Sequence, residues 1–125
     1  MTGAVQKAVY AKLSQSLSVP VYDSVPHGAQ LPYVVLGEDF ITDFSTKDIF
    51  GENCLLSLHV FSGYRGMREV KEIVDMVVDA LRNGVHSDTF VVAFSGLDNI
   101  RFFKEEDGVQ HGVVQIRMKI LRRGE

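Results

Sequence analysis

Cys54 and His59 are the two residues of this chain that come closest, in type and spacing, to a nucleophile and its base. A thiol enzyme needs its thiolate within hydrogen-bond reach of such a base. Both residues lie in the run Cys54-Leu55-Leu56-Ser57-Leu58-His59-Val60-Phe61, whose alternation reads as a strand. A separation of five along a strand places the two side chains on opposite faces, so they form no local dyad. His27, His86 and His111 reach Cys54 only if the fold brings them there. A cysteine that shares a strand face with Leu56, Leu58 and Val60 is a small core residue by type. The histidines have no Cys or His neighbour at zinc-ligand spacing, and the acidic residues show no calcium-loop pattern. His59 falls on the less buried strand face, and His27, His86 and His111 fall in turn-like sequence. No catalytic set, metal or cofactor is expected, and the chain reads as something other than an enzyme.

Two weaker patterns concern anions and nucleic acids. Gly63-Tyr64-Arg65-Gly66 precedes a helical pattern, where free amides at a helix start, with Arg65 and Arg68, are able to hold an anion. The bracket lacks the Lys-Ser/Thr of a phosphate loop and the longer dinucleotide fingerprint, so a tight strand-to-helix turn is the expectation. Phe102-Phe103-Lys104 and Arg117-Met118-Lys119 are the nearest approach to aromatics alternating with basics on an RNA-binding strand, and the phenylalanines are read as core. A formal net charge of -3 argues against a dedicated nucleic-acid binder. Charge is uneven, however: Arg117, Lys119, Arg122 and Arg123 crowd the C-terminal end, while Lys104-Glu105-Glu106-Asp107-Gly108 is mostly acidic.

The elements that position these residues follow from periodicity. Val5, Val9, Leu13 and Leu17 keep the spacing of one helical face, and Pro20 ends that helix. Val21-Tyr22 reads as a short edge strand, and Tyr33 to Thr42 as a strand bent or bulged near Gly37. Asp43 to Asn53 reads as a long polar connection punctuated by Phe44, Ile49 and Phe50, expected to be mobile until a partner orders it. Cys54 to Phe61 is the central strand. A helix from about Met67 to Arg82 carries the stripe Val70, Ile73, Val74, Val77 and Leu81, and Asn83-Gly84 stops it. Phe90 to Lys104, as one or two strands, pairs with His111 to Leu121 across the Glu105 to Gly108 turn. In that last strand Val114, Ile116, Met118 and Ile120 face the core, and Gln115, Arg117 and Lys119 face water. The fold class is α+β: two helices packed on a mostly antiparallel sheet.

The 125 residues, 46% of them apolar, fit a single domain over 1–125 with a full core and no linker. The single cysteine forms no internal disulfide, the N-terminus has no signal-peptide pattern, and no apolar run approaches a membrane span. A soluble protein made in a reducing cytoplasm is expected.

The order of these elements, with Val21-Tyr22-Asp23-Ser24-Val25-Pro26, Leu31-Pro32-Tyr33-Val34-Val35-Leu36-Gly37, Thr42-Asp43-Phe44-Ser45-Thr46-Lys47 and Leu58-His59-Val60-Phe61-Ser62 before the long helix, resembles the tail-completion or tail-terminator family of long-tailed bacteriophages. The resemblance covers nearly the whole chain. It implies a structural virion protein: a homo-oligomeric ring, a hexamer, at the head-proximal end of the tail tube. That ring ends tube polymerisation and joins the tail to the head connector or stopper, with DNA passing through it without sequence-specific binding. The implied partners are further copies of the chain, the tube protein and the connector, with no membrane. The implied location is the head–tail junction of the virion, after assembly in the host cytoplasm. The family carries no catalytic residues to this chain. Polarity and position mark three sets of interface candidates. They are Asp43, Phe44, Lys47, Ile49 and Phe50 in the connection; Glu105, Glu106 and Asp107 in the turn; and Arg117, Lys119, Arg122 and Arg123 on the last strand and tail. A generic oligomeric binding domain and a head-side connector component are the alternatives.

Overall fold

The structure, a computed structural model of one chain, describes residues 2–123, so Met1, Gly124 and Glu125 of the expected 1–125 span lie outside the described residues. Helix α1 (Thr2–Ser16) buries Val5, Val9 and Leu13, and Leu17 just beyond it completes the face. After Pro20, β1 (Val21–Tyr22) is the expected edge strand; it pairs parallel to β2 (Tyr33–Asp43), with Val21 opposite Val34.

Strand β2 slips register against β3 between Leu36 and Asp39, which places the expected bulge at Gly37. The glycine is needed there, because a Cβ would stand 2.5 Å from the His59 ring, which lies over the bulge. Strand β3 (Gly51–Ser62) begins three residues before the expected Cys54, and β2 runs on to Asp43. Both ends of the polar 43–53 segment, Asp43 and Gly51 to Asn53, are therefore strand, and the connection shrinks to 44–50. The reason is tertiary: Glu52 and Asn53 are held between Asp43 and Thr42 on one side and Ile120 and Lys119 on the other, and that two-sided pairing overrides their low strand propensity.

Helix α2 (Arg68–Leu81) buries the expected stripe and Val78 as well. Gly84, at φ 77°, closes it by donating its N–H to the Leu81 carbonyl at 2.9 Å. Strand β4 (Phe90–Lys104) is one continuous strand with register shifts at Val92/Phe94 and Leu97/Asn99. It pairs with β5 (Gln110–Arg122) across a turn in which Gly108 has φ 84°. His111 therefore lies in a strand and not in a turn, because its pairing with Phe61 and Phe103 fixes it in the sheet.

The sheet order is β1-β2-β3-β5-β4, antiparallel throughout except for β1 with β2. Both helices cover one face, where the buried side chains of α1 and α2 join Cys54, Leu56, Leu58, Val60, Val114, Ile116, Met118 and Ile120. Each such aliphatic side chain contributes roughly 1.5–3 kcal/mol by leaving water, so this face holds the domain together. It is the expected α+β arrangement. The other face carries no helix. Across it run Leu55, Ser57, His59 and Phe61 of β3 opposite Arg117, Gln115, Val113 and His111 of β5. Of the two phenylalanines read as core, Phe102 packs against it, but Phe103 lies 42% exposed on the open face. No described helix is long and apolar enough to cross a membrane.

Candidate functional site

All the candidate interface residues except Arg117 fall at two opposite ends of the sheet. At the first end the 44–50 turn is closed by Phe44 N–H donating to the Gly51 carbonyl at 3.0 Å and Thr46 N–H donating to the Ile49 carbonyl at 2.8 Å. Ser45 Oγ accepts from Gly51 N–H at 3.1 Å and donates to Asp43 at 2.6 Å. The turn is therefore built from its own contacts. Phe44 is half-buried, its ring lying over bare Gly51, while Ile49 and Phe50 are 47% and 62% exposed. Strand β5 ends beside it: Arg122 N–H donates to the Phe50 carbonyl at 2.9 Å, and the Arg122 guanidinium lies 5.3 Å from the centre of the Phe50 ring. Lys119 Nζ lies 5.9 Å from the centre of the Phe44 ring, and Arg123 Nε donates to the Ser87 carbonyl at 3.0 Å. Asp43, Lys47, Arg122 and Arg123 are exposed here. Residues far apart in the chain thus form one aromatic end of mixed charge, with Asp43 and Asp48 beside Lys47, Lys119, Arg122 and Arg123.

Glu105, Glu106 and Asp107 stand in the β4–β5 turn at the other end, fixed by Glu105 N–H donating to the Val109 carbonyl at 2.8 Å. Strand β5 spans the distance between the two ends, about 40 Å at roughly 3.3 Å per residue. Arg117 belongs to neither end. Its guanidinium places Nε at 3.2 Å and Nη2 at 2.7 Å from one oxygen of Asp98 on the neighbouring strand. Hydrogen bonds from Asn99 and Arg117, with the Arg117 charge, hold the Asp98 carboxyl below its usual range against a small burial penalty.

The open face carries a row of polar contacts with no sequence signature. Asn99 Nδ2 donates to Gln115 at 2.7 Å, and Gln115 Nε2 donates to Ser57 Oγ at 2.9 Å. Next to them stand Glu38, His59, His111 and Glu105, joined end to end: Glu38 to His59 Nε2 at 3.2 Å, His59 Nδ1 to His111 Nε2 at 2.8 Å, and His111 Nδ1 to Glu105 at 2.7 Å. Burial alone raises the Glu38 carboxyl, but hydrogen bonds from backbone, Ser57 and His59, with the His59 charge, outweigh it and leave the group below its usual range. These residues sit 21, 52 and 6 positions apart, so only strand register reveals them.

Chemistry of the usual catalytic kinds finds no support. Cys54 is fully buried on the helix-covered face, away from His59, and its thiol is pushed up to about 11 by burial and by the Glu52 and Asp39 carboxylates. Among the described residues no three metal-ligating side chains converge. The 63–66 segment is a strand-to-helix turn: Arg68 Nη2 donates to Tyr64 Oη at 3.2 Å, and Glu69, in the first turn of α2, accepts from Ser62 at 2.6 Å. A carboxylate of the chain itself thus already sits at the positive end of α2.

Comparison with known proteins gives a consistent set of relatives. The family described as "Tail completion protein gp17" matches residues 5–121. The tail completion protein gp17 of Bacillus phage SPP1 is 33% identical over 91 residues, which is 71% of this chain and 67% of that protein. A solved structure of the bacteriophage SPP1 gp17 protein superposes with a TM-score of 0.63 at 31% identity, over 94% of this chain and 88% of that one. A chain in the virion of a native gene transfer agent particle superposes with a TM-score of 0.83 at 25% identity, over 96% of both chains.

Proposed function

The chain belongs to the tail completion protein gp17 family, a family of structural tail proteins and not of enzymes, and from that premise we propose that it assembles as a closed ring, a hexamer, at the head-proximal end of a tail tube. The ring stops tube growth and offers the surface on which the head connector docks, with DNA passing through unread.

The observation that carries this reading is the separation of charge along β5. One end presents exposed Phe50 and Ile49 with Lys47, Lys119, Arg122 and Arg123 beside Asp43 and Asp48; the other presents Glu105, Glu106 and Asp107 after Lys104, so cations predominate at the first and carboxylates at the second. Unlike ends that complement each other favour a heterologous contact between copies, and such a contact closes into a ring when its rotation allows. The higher structural agreement also goes with the relative whose described setting is a virion, although its identity is the lower of the two. In this reading Asp43, Phe44 and Lys47 flank the contact. Arg117, neutralised by Asp98 within its own subunit, is a framework residue and not a docking charge.

Two experiments test it. Particles made without this chain should contain filled heads and separate, over-long tubes under the electron microscope; normal-length tails joined to heads would overturn the terminator reading, and missing heads would move the role to the head side. Native mass spectrometry of the purified protein should show a ring that Glu106→Lys with Asp107→Lys abolishes and that Arg122→Glu with Arg123→Glu in the same chain restores; Glu105 is left in place because it is tied to His111 of its own subunit. Rings indifferent to both reversals would refute the charge-complementary contact.

A further inference from the structure

The row Glu38–His59–His111–Glu105 has a proton count that its geometry fixes. His59 Nε2 meets the Glu38 carboxylate and His111 Nδ1 meets the Glu105 carboxylate, so each of these nitrogens carries its hydrogen. If both imidazoles were neutral, the remaining nitrogens, His59 Nδ1 and His111 Nε2, would point bare lone pairs at one another across 2.8 Å. That is the length of an N–H···N hydrogen bond. Three hydrogen bonds need three protons, and two neutral imidazoles bring two.

We propose that His59 and His111 bind one shared extra proton between their rings, and that this proton closes a clasp tying the β2 bulge and the β4–β5 turn to the middle of the open sheet face. A metal ion fits the gap less well. Two imidazole nitrogens on one tetrahedral ion with bonds of about 2.0–2.1 Å stand roughly 3.3 Å apart, wider than the 2.8 Å found. The surroundings favour a cationic pair. Phe61 stacks on His111 with ring centres 4.3 Å apart, and Phe103 closes the other side at 5.8 Å. The charged groups facing the pair are Glu38 from β2, Glu105 from the turn and Arg101 from β4, whose guanidinium is drawn 5.6 Å over the Phe103 ring. Strands β3 and β5 add only the neutral Ser57, Phe61 and Val113 beside it, Tyr33 flanks Phe61 from β2, and Asp39 lies on the helix-covered side with its carboxyl raised by burial and by Glu38. The helices pack on the far side of the sheet.

The sign follows from the count. Raising pH removes the shared proton and sets the lone pairs against each other, while lowering it far enough adds a fourth proton and sets two N–H groups against each other. The clasp therefore stabilises the fold most at intermediate pH and loses its effect on both sides.

The test is nitrogen-15 NMR on the full chain labelled in histidine, with no metal added, near pH 6.5. The expected result is three ring N–H protons for the His59–His111 pair, one of them strongly deshielded and correlated to both rings. The melting temperature of wild type minus that of His111→Gln should be largest there, by about 4 °C, and shrink at both higher and lower pH. Two ring protons, or four, at that pH would overturn the proposal, as would a melting difference flat with pH. A pair that ignores pH but saturates with one equivalent of Zn²⁺ would overturn it in favour of a metal site. The proton count is read on the wild-type protein, so it stands even if the variant fails to fold.

Discussion

Raising the pH from 9 to 11 should weaken this fold by an amount that the substitution Cys54→Ala removes. The thiol is fully buried and its ionisation is pushed from the ordinary 9.0 to about 11, first by burial and then by the Glu52 and Asp39 carboxylates. Below pH 9 the thiol is protonated whether the chain is folded or not, so its contribution is complete. Between 9 and 11 the unfolded chain gives up its thiol proton and the folded chain keeps it, so unfolding is favoured. Two pH units of such linkage amount to roughly 2–3 kcal/mol. At pH 7 a thiol of this kind is ionised in only about one molecule in ten thousand, roughly a hundredfold less than an ordinary one, and a reagent must also wait for local opening. Urea unfolding of wild type and Cys54→Ala at pH 8, 9, 10 and 11 measures the first effect, with tyrosine and lysine ionisation cancelling in the difference. Labelling with a chromogenic disulfide before and after denaturation measures the second. Cys54→Ala itself should cost about 1 kcal/mol at neutral pH and leave assembly intact. Parallel loss in the two proteins, or native-state labelling at the denatured rate, would refute the reasoning.

Gly112→Ala should destabilise by about 1–3 kcal/mol, since its Cβ would meet the Val74 methyl at 2.9 Å and Val70 at 3.3 Å where β5 passes under α2; chemical denaturation measures it, and an unchanged midpoint would mean that α2 yields freely. The Phe44 and Thr46 amides should already be protected from hydrogen exchange in the isolated subunit, because both are bonded within the 44–50 turn, whereas protection only after assembly would restore the picture of a loop ordered by a partner. Asp98→Asn should flatten the acid side of the stability curve. The carboxyl is held below its usual range by Asn99 and Arg117, so its contribution is present at neutral pH and lost as pH falls through its folded value; equal acid sensitivity in wild type and variant would show that the pair is idle.

The helices, the strands that pack beneath them and the helix-side core are legible in the order of residues alone. Those features follow from local repetition: spacing of four over Val5 to Leu17, of three and four over Val70 to Leu81, of two over Cys54 to Val60 and Val114 to Ile120. A buried face must be apolar at a regular interval, so it leaves a mark in the order of residues. Family membership was legible too, because the segments that carry the resemblance are contiguous in the sequence and the family matches residues 5–121. Tertiary structure alone decided the rest. Glu52 and Asn53 became strand because neighbours on both sides bound them, which no local preference announces. The 43–50 candidates and the 119–123 candidates became one surface, with the acidic turn opposite, only through the antiparallel register of β2, β3 and β5. His111 changed from a turn residue to the partner of His59, and Glu38 and Glu105 joined them, because hydrogen-bonded strands bring together side chains that are distant in the chain. Polar contacts across an open sheet face follow no period, since each depends on register, on a bulge such as the one at Gly37 and on which face a strand turns outward, and those are settled only when the whole sheet forms.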